Sequence, residues 1–323
     1  MPTLLSIEAL QADRLYVEQQ LLAASANPWG TSRLMWENRL AEIDEQIRAS
    51  ALMRANHASV ALIFDGNPVI GSGDIRLDFT TQALDSYQKI VSLSLASALS
   101  EALPLRGRLP GADLSRLFIR DIVRGSMGFI LEEVLPDQTE LVETGLKDAL
   151  ERSTELISVL SQAEEGEFVQ TIEKTPTRLV AAVQGFAKLL RDSGASTKIF
   201  GDVNKVELSL EDVRRLADRL NEIEIKEELA PVVGVLLGIL PDSREFELRL
   251  PDGEGNILRG SVSEDLAFKY TSDTAFKEQL LLQSVRAHIN TVSTFRNGRL
   301  VKERRVLKAL EAAPQDGLLL PGR

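Results

Sequence analysis

Over the first fifty residues apolar side chains recur at helical intervals, and the pattern breaks once, at Asn27-Pro28-Trp29-Gly30. Before the break Leu10, Val17 and Leu21 form one stripe, with Ser6 placed to cap the helix. After it Thr31 or Ser32 opens a second helix in which Trp36, Leu40, Ile43 and Ile47 stand at 4-3-4 spacing. That spacing is a coiled-coil seam. Residues 1–53 therefore predict a helical hairpin. Two short helices enclose little core of their own and must pack on the rest of the chain or on a second copy, so these seven residues form a candidate oligomer interface.

From residue 54 to 136 the period changes. SVALIFD (Ser59–Asp65) and DIRLDF (Asp74–Phe79) read as strands joined by GNPVIGSG, and Leu84, Val91, Leu95 and Leu99 mark a helix after them. The Gly- and Pro-rich LRGRLPGA makes a loop. LSRLFIRDIV and MGFILEEV, split by Arg124-Gly125-Ser126, read as a β-hairpin, which completes a small α/β sandwich. Residues 137–229 are mainly helical. Val142, Leu146, Ala149, Ile157 and Leu160 form one stripe; Leu179, Val183, Phe186 and Leu190 form another, entered at Thr175-Pro176. STKIFGDVNKVELS predicts a short strand pair, and Ser209 caps a helix carrying Leu210, Val213, Leu216 and Leu220.

Residues 230–313 alternate again. VVGVLLGIL, EFELRL, NILRGSV, SVRAHINTVSTF and KERRVLKAL are strands, with a helix over Glu264–Leu282 capped by Ser263. Five strands with a helix between the third and fourth is the order of an OB-like small β-barrel. Residues 314–323 read as a flexible tail. The fold class expected is multi-domain α+β: helical hairpin, small α/β sandwich, helical middle region and five-stranded C-terminal barrel.

Composition narrows the chemistry. The 323 residues are 44% apolar, 26% charged and 5% aromatic, those of an ordinary folded chain whose cores are aliphatic. There is no cysteine, which excludes disulfides, thiolate nucleophiles and zinc–thiolate sites. His57 and His288 alone supply imidazole, too few for a His-rich metal site within one chain. MPTLLSIEAL lacks a signal-peptide pattern, and the longest apolar run, Ala230–Leu240, is about half of the ~20 residues a membrane span needs. The expectation is a cytoplasmic, soluble protein without membrane contact or cofactor. A net charge of −11 repels phosphate from the chain as a whole.

No phosphate-binding loop of either common type is present. Gly253-Glu254-Gly255 places an acid between its glycines, and Gly71-Ser72-Gly73 has neither a following helix nor a lysine. Asp65, Asp74 and Asp78 would offer Mg²⁺ three carboxylates if Asp74 and Asp78 shared one strand face, but the reading taken is a solvent face with Ile75, Leu77 and Phe79 turned inward, and no metal site is expected. Glu224 and Lys226 make an E-x-K pair, read here as the end of a charged helix. Ser126 lacks a G-x-S-x-G elbow, and both histidines read as structural or surface residues.

Two basic features remain. Arg286, Arg296, Arg299, Lys302, Arg304, Arg305 and Lys308 crowd the last strands. Arg116, Arg120 and Arg124 alternate onto one face of the hairpin with Phe118 and Ile122 between them. Such a set contacts nucleic acid or an acidic partner. The leading functional expectation is a non-enzymatic interaction or scaffold subunit that associates with itself and with a protein partner. The alternative is a nucleic-acid-binding protein that uses the basic barrel.

Overall fold

The computed structural model describes residues 3–24, 31–52, 58–71, 73–100, 103, 107–123, 127–134, 144–240, 242–251 and 256–313. The 27–30 break, His57, Ser72, Arg124 with the rest of its turn, Val142, the 253–255 turn and the tail lie outside these residues. The chain is mixed α+β, with nine α-helices and twelve strands in three sheets among the described residues. It divides into two compact units, Met1–Asn221 and Glu222–Arg323. No helix among the described residues is long and apolar enough to cross a membrane.

The first unit opens with α1 (Thr3–Ala24) and α2 (Thr31–Leu52). The two run antiparallel: Arg39 lies 3.6 Å from Asp13, Arg14 lies 2.8 Å from Asp44, and the Tyr16 ring stands edge-on to Trp36. Val17 and Ile43 are fully buried, with Leu10, Leu21, Trp36, Leu40 and Ile47 half-buried beside them. Of the seven residues of the apolar period, Val17 and Ile43 are thus enclosed within the hairpin and the other five keep part of their surface exposed.

After β1 (Ser59–Gly66) comes a miniature hairpin, β2 (Val69–Ile70) with β3 (Asp74–Ile75), and then α3 (Leu77–Leu99). This corrects the strand expected over Asp74–Phe79. Phe79, Ala83, Tyr87 and Ile90 are buried at helical spacing, whereas Leu77, which alternates with Phe79, is exposed. The longer helical period thus outweighs a short run of alternation.

The unit continues with β4 (Phe118–Val123), β5 (Met127–Glu132), α4 (Gly145–Gln162), α5 (Glu165–Lys174), α6 (Thr177–Ser193), β6 (Ala195–Phe200), β7 (Lys205–Leu208) and α7 (Leu210–Asn221). Its sheet is antiparallel throughout in the order β4-β5-β1-β6-β7. The segments read separately as a sandwich and a helical region thus share one sheet, because β1 lies between β5 and β6. On one face Val60, Leu62 and Phe64 are buried, Phe64 against Phe79 of α3, and α3 packs with α4 and α6. The opposite face carries a smaller buried cluster of Ala61, Ile63, Ile130 and Phe200. Gly128 stands opposite Ile63, where a Cβ would come within 2.8 Å of Ile63 Cγ1 and 2.9 Å of the Leu62 carbonyl oxygen. Close strand approach, rather than a bulge, is what demands glycine there.

The second unit holds β8 (Ile223–Leu240), β9 (Glu245–Arg249), β10 (Ile257–Val262), α8 (Glu264–Ser272), α9 (Thr274–Leu280), β11 (Ser284–Arg296) and β12 (Arg299–Ala312). The helix expected over Glu264–Leu282 is two helices, because Asp273 ends one and caps the next through the Phe276 N–H. Pairing runs β10-β12-β11-β8-β9, and β10 also pairs with β9, so the five-stranded ladder closes on itself. The β10–β12 pair is parallel and all the others are antiparallel. Leu236, Phe246, Leu248, Val285, Ala287, Ile289 and Leu307 fill the interior.

β8 begins at Ile223, well before the strand expected at Val232. Its first half pairs with the end of β11, which pairs in turn with the start of β12, as a three-stranded extension beyond the closed ring. The β11–β12 turn is Asn297-Gly298, both with positive φ, the two-residue arrangement that Asn-Gly favours between twisted strands.

Candidate functional site

The three aspartates weighed for Mg²⁺ stand in different local structures. Asp65 accepts the N–H of Gly66 at 2.7 Å, Asp74 lies on β3, and Asp78 lies in the first turn of α3. There Asp78 meets Arg76 at 2.5 Å, and this hydrogen bond holds its carboxyl below the ordinary range. The strand face that Asp74 and Asp78 were expected to share does not exist. Among the described residues no three His, Asp or Glu side chains form a metal-holding group.

Glu224 and Lys226 stand on β8, not at a helix end, because Ile223 and Ile225 alternate with them. Their side chains are exposed and pair with each other at 3.2 Å, and Lys226 also lies over the Phe295 ring. The pair is neutralised surface charge. His288 lies on β11 with its Nε2 3.7 Å from Glu311 Oε1.

Strand register sorts the basic residues. Arg286 and Arg296 lie at opposite ends of β11, roughly 33 Å apart at ~3.3 Å per residue. Arg296, Arg299, Lys302 and Arg304 share one face of the extension, whereas Arg305 lies on the other with Glu303. The fork of Arg296 grips Glu222 at 3.0 and 3.1 Å. Burial holds the Arg304 guanidinium below its ordinary pKa. Lys308 sits at the register shift beside His288 and is exposed. The set gathered from the sequence is thus split over two faces and both ends of the sheet.

β4 departs furthest from the alternation expected. Register pairs Phe118 with Glu132 and Ile119 with Leu131, then skips Arg120, so that Asp121 pairs with Ile130 and Ile122 with Phe129. The bulge inverts the facing of everything after it. Phe118 and Ile122 therefore lie on opposite faces. Arg116 precedes the strand and bonds Asp113 at 2.9 Å, and Arg120 stands 3.8 Å from Glu132. β4 ends the sheet, and Phe118, Ile119 and Ile122 are 50%, 58% and 50% exposed.

Sequence patterns gave no signal for the most buried charges. Lys147 in the first turn of α4 lies 3.3 Å from Asp202 in the β6–β7 turn, with side chains only 5% and 2% exposed. Glu151, one helical turn further on, accepts the backbone N–H groups of Asp202, Val203 and Asn204. A Cβ on Gly201 would lie 2.5 Å from that carboxylate. Burial also raises the pKa of the Tyr87 phenol, which α3 carries fully buried beside Phe186 of α6. Lys147, Glu151 and Asp202 clasp α4 to the turn, with the Glu151 carboxylate accepting three backbone donors.

Comparison with protein-family models, curated proteins and solved structures finds no match.

Proposed function

We propose that this chain is a non-enzymatic interaction or scaffold subunit that associates with itself through its N-terminal hairpin and binds a protein partner. The observation that carries the reading is on α1. Leu15 and Leu22 are 61% and 75% exposed, and they share the side of the helix turned roughly 150° from Val17 at about 100° per residue. α2 covers the Val17 side of α1, while Leu15 and Leu22 stand exposed among Gln11, Glu18 and Gln19. Two exposed leucines about two helical turns apart support a contact with a second copy.

We read the closed C-terminal sheet as an OB-like barrel. The reading is supported by its strand order, with the parallel pair between third and fifth strands and helices between third and fourth. That topology also favours a second reading, nucleic-acid binding, helped by Arg299, Lys302 and Arg304 on one face. The surface such barrels commonly use, over the second and third strands, argues the other way. Here it carries Glu245 and Glu247 with Arg249 and Arg259, Arg259 is bound to Glu247 at 2.8 Å, and neither strand offers an outward aromatic for base stacking.

Light scattering on the size-exclusion peak of the full chain, with absorbance at two wavelengths and at low and high salt, separates the readings. The expected result is a salt-stable oligomer free of nucleic acid whose mass falls in Leu15→Glu/Leu22→Glu. A particle carrying nucleic acid that salt strips away would transfer the assignment to the barrel. A strict monomer at all concentrations would reject self-association.

A further inference from the structure

We infer that Asn297 is a covalent modification site, whose side-chain amide closes on the next backbone nitrogen, loses ammonia and leaves aspartate or isoaspartate at the tip of the β11–β12 turn. The inference stands apart from how the chain associates. Asn297 is the one asparagine of this chain followed by glycine, and both residues are exposed. Without a Cβ, Gly298 leaves its nitrogen open to the amide carbon beside it. Every other asparagine precedes a side chain that crowds this approach or a proline that removes the N–H.

The reaction needs water and nothing else. The Gly298 nitrogen gives its proton to solvent and bonds to Asn297 Cγ, and the Cγ–Nδ2 bond breaks as ammonia leaves. Water then opens the cyclic imide at one of its two carbonyls. Opening at Cγ restores the original backbone and gives aspartate. Opening at the Asn297 backbone carbonyl leaves the chain running through Cγ, which is isoaspartate. One ammonia is released for each water consumed.

The fold sets the pace of closure. Asn297 Nδ2 donates to Glu222 Oε2 at 3.2 Å, and the Asn297 N–H donates to the Glu222 carbonyl at 3.3 Å. A side chain held on Glu222 must let go before Cγ reaches the Gly298 nitrogen, so ring closure waits for that bond to open. The same contact decides what the product does. The new carboxylate replaces a donor with a charge facing Glu222 Oε2, the oxygen that also takes the Arg296 fork at 3.0 and 3.1 Å. Two carboxylates then compete for one guanidinium. Isoaspartate also adds a carbon to the backbone, and a two-residue loop of altered length no longer matches the twist of its strands. Modification therefore loosens the turn from the start of β8.

The test keeps the full chain warm at mildly alkaline pH and follows the peptide carrying residue 297 by mass spectrometry, with the aspartate and isoaspartate forms separated. Conversion is expected there ahead of every other asparagine. No conversion at Asn297, or equal conversion elsewhere, would overturn the inference. Chain unfolded in urea should convert several-fold faster than folded chain, and Glu222→Ala, checked as folded by circular dichroism, should lie between the two. Folded chain as fast as unfolded chain, or folded Glu222→Ala as slow as wild type, would reject the hold by Glu222. Asn297→Asp carries the product's charge without the chemistry and keeps the proposal testable if Glu222→Ala fails to fold. Its thermal melt should fall below that of wild type, and an unchanged melt would overturn the effect assigned to the product.

Discussion

Lys147 and Asp202 place opposite full charges 3.3 Å apart where water scarcely reaches. Such a pair is held by mutual dependence, since either charge left alone in the interior is far costlier than the pair is favourable. Lys147→Ala should therefore lower unfolding free energy by about 3–5 kcal/mol. Replacing both, as in Lys147→Met with Asp202→Leu, should recover much of that loss, because two apolar side chains of similar size leave no orphan charge. Urea unfolding midpoints of wild type, single and double variants provide the measurement. A double variant no more stable than the single would show that the clasp acts through something other than charge pairing. The arrangement also explains why Gly201 and the following turn hold their form, with the Glu151 carboxylate bound to three N–H groups.

The start of α7 shows how one element is fixed by its own first turn. Ser209 Oγ accepts the Asp212 N–H at 3.2 Å, and Asp212 accepts the Ser209 N–H at 3.1 Å and its hydroxyl at 2.6 Å, a reciprocal capping box. The hydroxyl bond holds the Asp212 carboxyl below its ordinary pKa. A carboxyl depressed in the folded state stabilises the fold above its unfolded pKa, about 3.9, and the benefit fades as pH falls through the folded value. Asp212→Asn should thus cost about 1 kcal/mol near neutral pH and converge on wild type only once pH has fallen from about 3.9 through the depressed folded value. Thermal melts over pH 2.5–7 would check this, and a gap that stays constant with pH would exclude the ionised carboxylate as the cause. The same element was legible beforehand, since Ser209 and the buried Val213, Leu216 and Leu220 lie in one local window. β4 was legible as a strand of the hairpin with β5 but its bulge was not, because the bulge at Arg120 depends on how the two strands meet and leaves no mark in FIRDIV itself.

For the molecule, the two compact units imply separable folding. The second closes its ladder, fills its own core and begins with the Arg296–Glu222 fork beside the Asn297-Gly298 turn. A fragment of residues 222–313 is expected to fold alone, giving a cooperative melt and dispersed amide resonances. A molten fragment would show that this core needs the rest of the chain. The sequence by itself determined what depends on neighbours a few residues apart. The N-terminal helical hairpin, the stripes of α4 and α6, the β6–β7 pair and the five C-terminal strands all follow from period and turn chemistry. The absence of cysteine and the scarcity of histidine narrowed the chemistry in the same way. Only tertiary structure decided which elements meet. It inserted β1 between β5 and β6, carried β8 back to Ile223, ended the strand expected over Asp74–Phe79 at Ile75 and made Leu77–Phe79 the start of α3, and spread the arginines over opposite faces and ends. Strand pairing and burial are set by residues far apart in the chain, and no local pattern encodes the partner across a ladder.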